Sequence, residues 1–592
     1  MNEEGEGKRF WTRPWKGVRG LLLWFVLLTS LAFLVVVYID AFTDASIRLD
    51  FIVIGFLVAV VFAIVAILAF LLIRWLCCWR NFRRVLIVVV SLAVLIGLFY
   101  LVEDWRGISS WTKFKREWEA KGEHFDMASL APAAVPDEQN FAMTPIVASS
   151  YARMLTPDGH RIDPPNTNVV NRLEMPLEVQ VEGLEDSLPS PGDWLNAVKI
   201  DLAAWQRYYQ KAAALTNMFP IPSHPGQPAA DVLLALSIYE PAIEELRQAS
   251  LRPASRFPLD YDTDKPFGIL LPHVAGLKGC TMILELSACA ELELGQSQKA
   301  LDDVRLIMRL AESIRTEPNL ISQLVRIAMV NLALQPVWEG LTEHKWSDRQ
   351  LITLQEEFKR PDFIADYRLG VRGEMAWELG ILDCVRRHRE PAYELVSRTE
   401  GQLEGRLFAW LAPSGWFYQN QIRSARPFVE FYLPLGNVEN RVISPSASRR
   451  ADKIVISGIN HVTPYNLLDR MLLPAVSRAI QKSASAQACV DLASVACALE
   501  RYRLAHGDYP EAITSLAPQL IDSLPHDVVN GQPLKYRRTA DRQFVLYSVG
   551  WNETDDGGVS GLKPDGKAMD PTKGDWVWTT SSAPQTPGPP KP

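Results

Sequence analysis

Three long apolar stretches dominate the first part of the chain. Residues 20–39, 51–73 and 85–102 contain no charged side chain. Each is close to the roughly 20 residues that a helix needs to cross about 30 Å of hydrocarbon. The pattern therefore predicts three transmembrane helices within residues 20–102. A cleavable signal peptide is the alternative for the first stretch, but its apolar core is too long and no small-residue cleavage pattern precedes the acidic loop that follows.

Basic residues flank these stretches unevenly, which predicts an orientation. The arm at residues 1–19 and the loop before the third stretch are both basic. The arm contains Lys8, Arg9, Arg13, Lys16 and Arg19, and the loop contains Arg74, Arg80, Arg83 and Arg84. The loop after the first stretch carries Asp40, Asp44 and Asp50 against Arg48 alone. Because short basic loops stay in the cytoplasm, we expect a cytoplasmic N-terminus in the inner (cytoplasmic) membrane. Residues from 103 onward are then extracytoplasmic, and the lipid bilayer is a predicted partner.

Aromatic residues continue a helical spacing beyond the third stretch. Trp105, Trp111, Phe114 and Trp118 recur three to six residues apart. We therefore expect a helix to continue out of the membrane, with these side chains in the interface. Further along, up to residue 192, Pro, Asn and Asp interrupt any regular period, which predicts an irregular segment.

The helical period dominates residues 193–440 and predicts a mostly α-helical domain. Within it, residues 288–314 form two amphipathic runs on either side of Gly295, with Ala300, Val304 and Ile307 recurring at helical spacing. This pattern is typical of one helix hairpin of the tetratricopeptide kind, although a true repeat array needs about three such units. A peptide-binding groove is one interpretation of the hairpin, and a packed core is the favoured one.

The spacing of apolar residues changes again in the last part of the chain. Residues 441–453 are polar and basic, and residues 441–471 are predicted to be a linker or surface loop. Residues 472–506 then carry one apolar stripe, which predicts a long helix that ends at Gly507. Residues 533–538 and 543–550 predict a hairpin, and residues 575–579 a third strand. One long helix on a small antiparallel sheet makes residues 472–579 an α+β unit, and the Pro-rich residues 580–592 are predicted to be disordered.

The residues of this last unit resemble a known family. The pattern consists of Leu499, Tyr502, Gly507, Asp508, Tyr509, Pro510, Leu524, Pro525, Asp527, Gly531, Pro533, Tyr536, Leu546, Tyr547, Ser548 and Gly550. In this order and spacing it is similar to the globular part of the major pseudopilins of type II secretion systems. One departure is that the family helix begins as an N-terminal membrane span, whereas here the helix is internal and is interrupted by Arg478 and Lys482.

The resemblance also implies a calcium site. In that family a calcium ion is held in the loop after the corresponding strand, which falls here on residues 550–575. The implied oxygen ligands are Asn552, Asp555, Asp556 and Asp575, with glycines that let the backbone wrap a cation. Asn552 stands where the family has an aspartate, which weakens the negative charge, so a plain acidic turn is the alternative.

The whole chain also resembles a set of bacterial membrane-anchored envelope proteins. The shared segments are DWRG, PDEQNFAMTP and LERYRLAHGDYP. This resemblance implies a placement in the envelope and no reaction.

Composition and motifs limit the possible functions. The net charge of −7 argues against nonspecific nucleic-acid binding. The sequence contains no nucleophile elbow, no HExxH motif and no phosphate-binding loop, so we predict no catalytic or cofactor-binding residue. A transporter is disfavoured because the apolar stretches contain no ionisable residue to mark a pathway.

Two functional hypotheses remain. The first is a non-enzymatic envelope protein whose exported domain binds a protein partner or scaffolds a secretion-related assembly. The alternative is a hydrolase of envelope polymers, with a dispersed carboxylate site in the helical domain. A cleft that holds two acids with separated pKa values would favour the hydrolase.

Overall fold

The computed structural model divides the chain into two compact units, Met1–Val102 and Glu103–Pro592. It describes residues 14–41, parts of 57–78, and then 79–158, 160–162, 164–179, 184, 189–261, 270–390, 403–459, 476–563 and 569–579. The second predicted span is described only in part. The predicted basic arm before residue 14 and the predicted disordered tail lie outside the described residues.

The longer helices of the described chain are numbered in chain order. They are α1 (Pro14–Ala41), α2 (Trp79–Glu119), α3 (Leu202–Thr216), α4 (Pro228–Leu236), α5 (Glu240–Ala249), α6 (Pro272–Glu293), α7 (Ser297–Ser313), α8 (Leu320–Thr342), α9 (Asp348–Phe358), α10 (Phe363–His388), α11 (Leu403–Leu411), α12 (Ser414–Pro427), α13 (Pro445–Ile459) and α14 (Val476–His506). Short helical turns lie at Met127–Leu130, Asp137–Gln139, Phe141–Met143, Pro145–Ala148, Trp194–Asn196, Ser237–Tyr239, Phe428–Tyr432, Leu433–Leu435 and Ile513–Leu516.

The strands are short and antiparallel. They are β1 (Gly436–Asn437), β2 (Val442–Ile443), β3 (Lys535–Arg538), β4 (Phe544–Ser548), β5 (Ser560–Leu562), β6 (Met569–Gly574) and β7 (Trp576–Trp578). They form a β1-β2 pair, a three-stranded sheet in the order β3-β4-β7, and a β5-β6 pair. The expected mostly helical chain with small antiparallel sheets near its C-terminus is confirmed.

Two helices in the described part of the chain are long and apolar enough to cross a membrane, namely α2 and α8. The apolar length of α2 covers the third predicted span and contains no buried residue, which favours membrane association. Most of the apolar length of α8 is buried inside the protein. It packs against α6, α7, α10 and α14, so its apolar length reflects its place in the core. Helix α1 covers the first predicted span, and the number of crossings stays a prediction.

The described part of the second unit contains two buried apolar clusters. The larger one runs through both the helices and the C-terminal sheet. It joins Leu277 of α6 and Val330 of α8 to Leu499 of α14 and Leu546 of β4. The indole Nε1 of Trp338 donates a hydrogen bond to the carbonyl oxygen of Thr579 at 2.7 Å, which attaches the end of the described chain to α8. The predicted finer division of this unit at residues 192, 440 and 471 stays a prediction.

Helix α2 is held in the second unit by a close approach to α12. Gly107 and Gly415 touch backbone to backbone, since an added Cβ on Gly107 would lie 2.5 Å from the Cα of Gly415. The Asp104 carboxylate accepts the Gly415 N–H at 2.6 Å, and the Glu103 carboxylate accepts the Trp416 Nε1–H at 3.2 Å. The helix thus continues beyond the third apolar stretch as predicted. Phe114, expected in the membrane interface, is instead buried in the core of this unit.

Several local predictions are confirmed. The helix hairpin around Gly295 consists of α6 and α7. Helix α14 ends before Gly507, whose φ of +82° is the left-handed conformation that stops a helix. The β3-β4 hairpin and the third strand β7 form in the predicted order, and α14 packs on β4 and β7.

The prediction of a linker or loop at residues 441–471 is wrong over its described part, since β2 and α13 lie there. Ser444 precedes Pro445 and its hydroxyl accepts the Ala447 N–H at 3.2 Å, which caps the helix start. Ala451 and Val455, four residues apart, are buried against the protein. This narrow buried face is enough to hold the helix, although Arg450, Ile454 and Ile456 are exposed.

We expect the substitution Gly107→Ala to destabilise the second unit by about 1–3 kcal/mol, because the new methyl group would force α2 and α12 apart. The measurement is the unfolding midpoint of the full-length protein in detergent. Gly279→Ala in α6 is the matched control, since the nearest atom to its added Cβ is 3.9 Å away. Equal midpoints for both variants would contradict a tight α2–α12 contact.

Candidate functional site

The loop between β4 and β5 contains three of the four implied calcium ligands, and Asp575 lies beneath it. Asp575 is fully buried. Its two carboxylate oxygens accept the N–H groups of Gly558 at 2.7 Å and Asp556 at 3.2 Å. Burial raises the pKa of Asp575 to about 6, and the two N–H donors oppose that rise. This carboxylate therefore closes the loop by hydrogen bonds.

The other three ligands also have protein partners. The Asn552 side-chain amide donates to the Asp556 carboxylate at 2.7 Å. The Asp555 carboxylate accepts the Tyr547 hydroxyl at 2.9 Å and lies 3.5 Å from the Lys535 ammonium. Asn552, Asp556 and Asp575 are thus linked in one loop, whereas Asp555 turns towards the sheet.

A calcium ion would compete with Lys535 for Asp555. It would share the Asp575 carboxylate with the two N–H donors. Within the described residues, no group of three or more His, Cys, Asp or Glu side chains is arranged to hold a metal ion. Calcium ligation by these four residues therefore stays a prediction.

A positively charged depression lies elsewhere in the second unit, between α5, α7 and the end of α9. This arginine depression has a volume of about 450 Å³. Its charged lining consists of Arg247, Arg252, Arg305, Arg309 and Arg360 with the two carboxylates of Asp302 and Glu357. Five guanidinium groups against two carboxylates give a local positive charge on a chain whose net charge is negative.

Backbone carbonyl groups hold two of these arginines in place. Arg309 donates to the carbonyl oxygens of Ser250, at 3.1 Å, and Arg252. Arg252 in turn donates to the carbonyl oxygens of Asp137 at 2.7 Å and Asn140 at 2.9 Å. Burial lowers the pKa of Arg309, and the neighbouring Arg360 lowers it further. Because neutral carbonyls orient these guanidinium groups without cancelling their charge, an anion in the depression would be attracted to them.

Buried carboxylates hold the other three arginines. Arg305 and Arg360 share Glu357, at 3.3 and 3.0 Å, and Arg247 pairs with Asp303 at 2.8 Å. Half of the Arg305 and Arg360 side-chain surface remains exposed. These two side chains therefore keep N–H groups on the open side of the depression.

An acidic cleft of about 360 Å³ adjoins the depression and shares Arg247 and Asp302 with it. Glu291 of α6 and Asp303 of α7 line this cleft. Burial, with the charge of Asp303, raises the pKa of Glu291 to about 8. Burial also raises the pKa of Asp303 to about 6, against the opposing effect of Arg247. The cleft therefore brings a carboxylic acid and a carboxylate together at neutral pH.

Sequence reasoning missed both features. The arginines come from three separate segments, around residues 247–252, 305–309 and 360, and only the tertiary fold brings them together. The available signal was the pair Arg305 and Arg309, which share one face of α7 at a spacing of four. Comparison with protein-family models, curated proteins and solved structures gave no match.

If the implied calcium site forms, Ca²⁺ should raise the unfolding midpoint of the full-length protein in detergent, because a ligand of the native state stabilises it. A chelator should reverse the shift and Asp556→Ala should abolish it. Asp541→Ala, in the exposed β3-β4 turn, is the matched control and should keep the shift. A midpoint that does not respond to Ca²⁺ would reject the site.

The raised pKa of Glu291 predicts a pH dependence of stability. The folded protein keeps this proton to a higher pH than the unfolded chain, so the free energy of unfolding falls as the pH rises towards about 8. Glu291→Gln stays neutral and should lose this fall, with an unfolding midpoint that exceeds that of the wild type increasingly as the pH rises from about 5 to about 8. The exposed Glu138 provides the control Glu138→Gln, and parallel pH profiles for both variants would contradict the assignment.

Proposed function

We propose that this chain is a membrane-anchored envelope protein that binds an acidic segment of a protein partner in the arginine depression. Three spans anchor it in the inner membrane with the N-terminus in the cytoplasm, and the second unit is exported. The observation that carries this proposal is the convergence of five guanidinium groups on one concave surface of an otherwise acidic chain.

The chemistry of the depression favours carboxylate side chains as its ligands. A guanidinium group presents a planar fork of N–H donors that matches a carboxylate. The depression is open and has room for several side chains, which suits a segment of a protein. Leu251 lies in its lining and is 76 % exposed, so an apolar contact is available beside the charged ones.

The α+β unit predicted at residues 472–579, here called the C-terminal module, supports a role of the protein in an assembly. Its helix α14 on a small antiparallel sheet is the arrangement that the resemblance to major pseudopilins implies. The module shares its core with the helical region, so both would present one rigid surface. A scaffold role in a secretion-related assembly is consistent with that rigidity and rests on the resemblance.

The acidic cleft favours a second candidate, a hydrolase of envelope polymers. Glu291 and Asp303 have separated pKa values and line one cleft, as a general acid and a base require. Release of soluble fragments from isolated envelope polymer, abolished by Glu291→Gln, would favour the hydrolase. No release by the wild-type protein would favour binding alone.

The substitution Arg360→Gln tests the proposed binding. We expect it to weaken the binding of a polyglutamate peptide to the full-length protein about two- to fivefold, because one partly exposed charge pair is lost. Lys359→Gln is the matched control, since it removes the same charge one residue away and Lys359 pairs instead with Glu356 and Asp522. The readout is the dissociation constant at low and at physiological salt.

A photo-crosslinker at Leu251 extends the test to cell membranes. A specific envelope protein should be captured by the wild type and by Lys359→Gln, and less by Arg360→Gln. Polyglutamate binding that is the same in all three proteins would overturn the role of the depression.

A further inference from the structure

Helix α11 exposes an apolar stripe at the surface of the second unit. Leu403, Leu407, Trp410 and Leu411 follow each other at spacings of four, three and one, which places them on one face of the helix. Leu403 is 72 % and Trp410 is 74 % exposed. Four large apolar side chains on one face of a nine-residue helix form a continuous patch, and such patches mark interaction surfaces.

The opposite face of α11 is packed and holds the helix in place. Ala409 and Ala412 are buried. The Phe408 ring stacks on the Trp416 ring with 6.2 Å between centroids. Arg389 donates to the carbonyl oxygen of Ala412 at 2.9 Å, which satisfies a group at the end of the helix. The exposed stripe is thus presented by an anchored helix.

The contacts of α11 connect it to Glu103, the first residue of the second unit. Trp416, which stacks on Phe408, donates its Nε1–H to Glu103 at 3.2 Å. Glu103 follows directly after Val102, the last residue of that stretch. Only two side-chain contacts therefore separate α11 from the residue at which the chain would leave the hydrocarbon.

We propose that α11 lies in the outer surface of the same bilayer, with its apolar stripe among the lipid headgroups and upper acyl chains. This inference rests on the proposed membrane anchoring by α2. An amphipathic helix with a tryptophan on its apolar face is typical of the membrane interface. The bilayer thereby covers a patch that water would otherwise face.

Site-directed labelling of the full-length protein in lipid nanodiscs tests this placement. Single cysteines at Leu407 and at Leu95 are labelled with bimane in a background where Cys77 and Cys78 are replaced by serine. The five other cysteines, Cys280, Cys289, Cys384, Cys489 and Cys497, are buried, which shields them from the label. Leu251→Cys, on another exposed leucine, is the matched control for a site in water.

Doxyl lipids with the spin label near the headgroup should quench the Leu407 label by about half and leave the Leu251 label bright. Lipids with a deeper spin label should quench the Leu95 label. A bright Leu407 label with a quenched Leu95 label would overturn the inference and leave the anchoring in place. A bright Leu95 label would overturn both. Protection of Leu407 from an aqueous quencher without lipid quenching would assign the stripe to a protein and would also overturn the inference.

Discussion

The backbone contact between Gly107 and Gly415 fixes α2 in the second unit. No side chain fits between these two helices, so their distance is set by the backbones themselves. The hydrogen bonds from Gly415 to Asp104 and from Trp416 to Glu103 then fix the rotation of α2 about its axis. With that rotation set, Phe114 lies in the core and the two tryptophan-bearing helices α11 and α12 lie beside the start of the unit.

The sequence predicts those elements whose signal is local. The apolar stretches, the α6-α7 hairpin and the β3-β4 hairpin all carry their period within one short segment. Helix α13 was missed because its buried face is narrow. That face includes Pro445 and Ser448 as well as Ala451 and Val455, and charged residues lie beside it. There the Ser444 cap and tertiary packing outweighed a polar composition.

The candidate sites could not be predicted in the same way, because their residues meet only in the fold. Arg247, Arg309 and Arg360 belong to three different segments, and nothing in their spacing shows that they share a depression. The raised pKa of Glu291 likewise depends on burial, which composition does not reveal. Three of the implied calcium ligands lie close together, and Asp555 points towards the sheet. Their partners include N–H groups and a lysine, which cannot be predicted from the spacing of the acidic residues.

The hydrogen bond from Trp338 to Thr579 has a consequence for the order in which the protein is made. Trp338 belongs to the central helix of the core, and its indole N–H is buried. Until residue 579 has been synthesised, this donor lacks its acceptor, and an unsatisfied buried N–H costs about 1–3 kcal/mol. The core around α8 is therefore incomplete until β7 and Thr579 have been synthesised. The second unit therefore completes its core only after residue 579 has been synthesised, and until then its helices keep apolar surface exposed to chaperones and proteases.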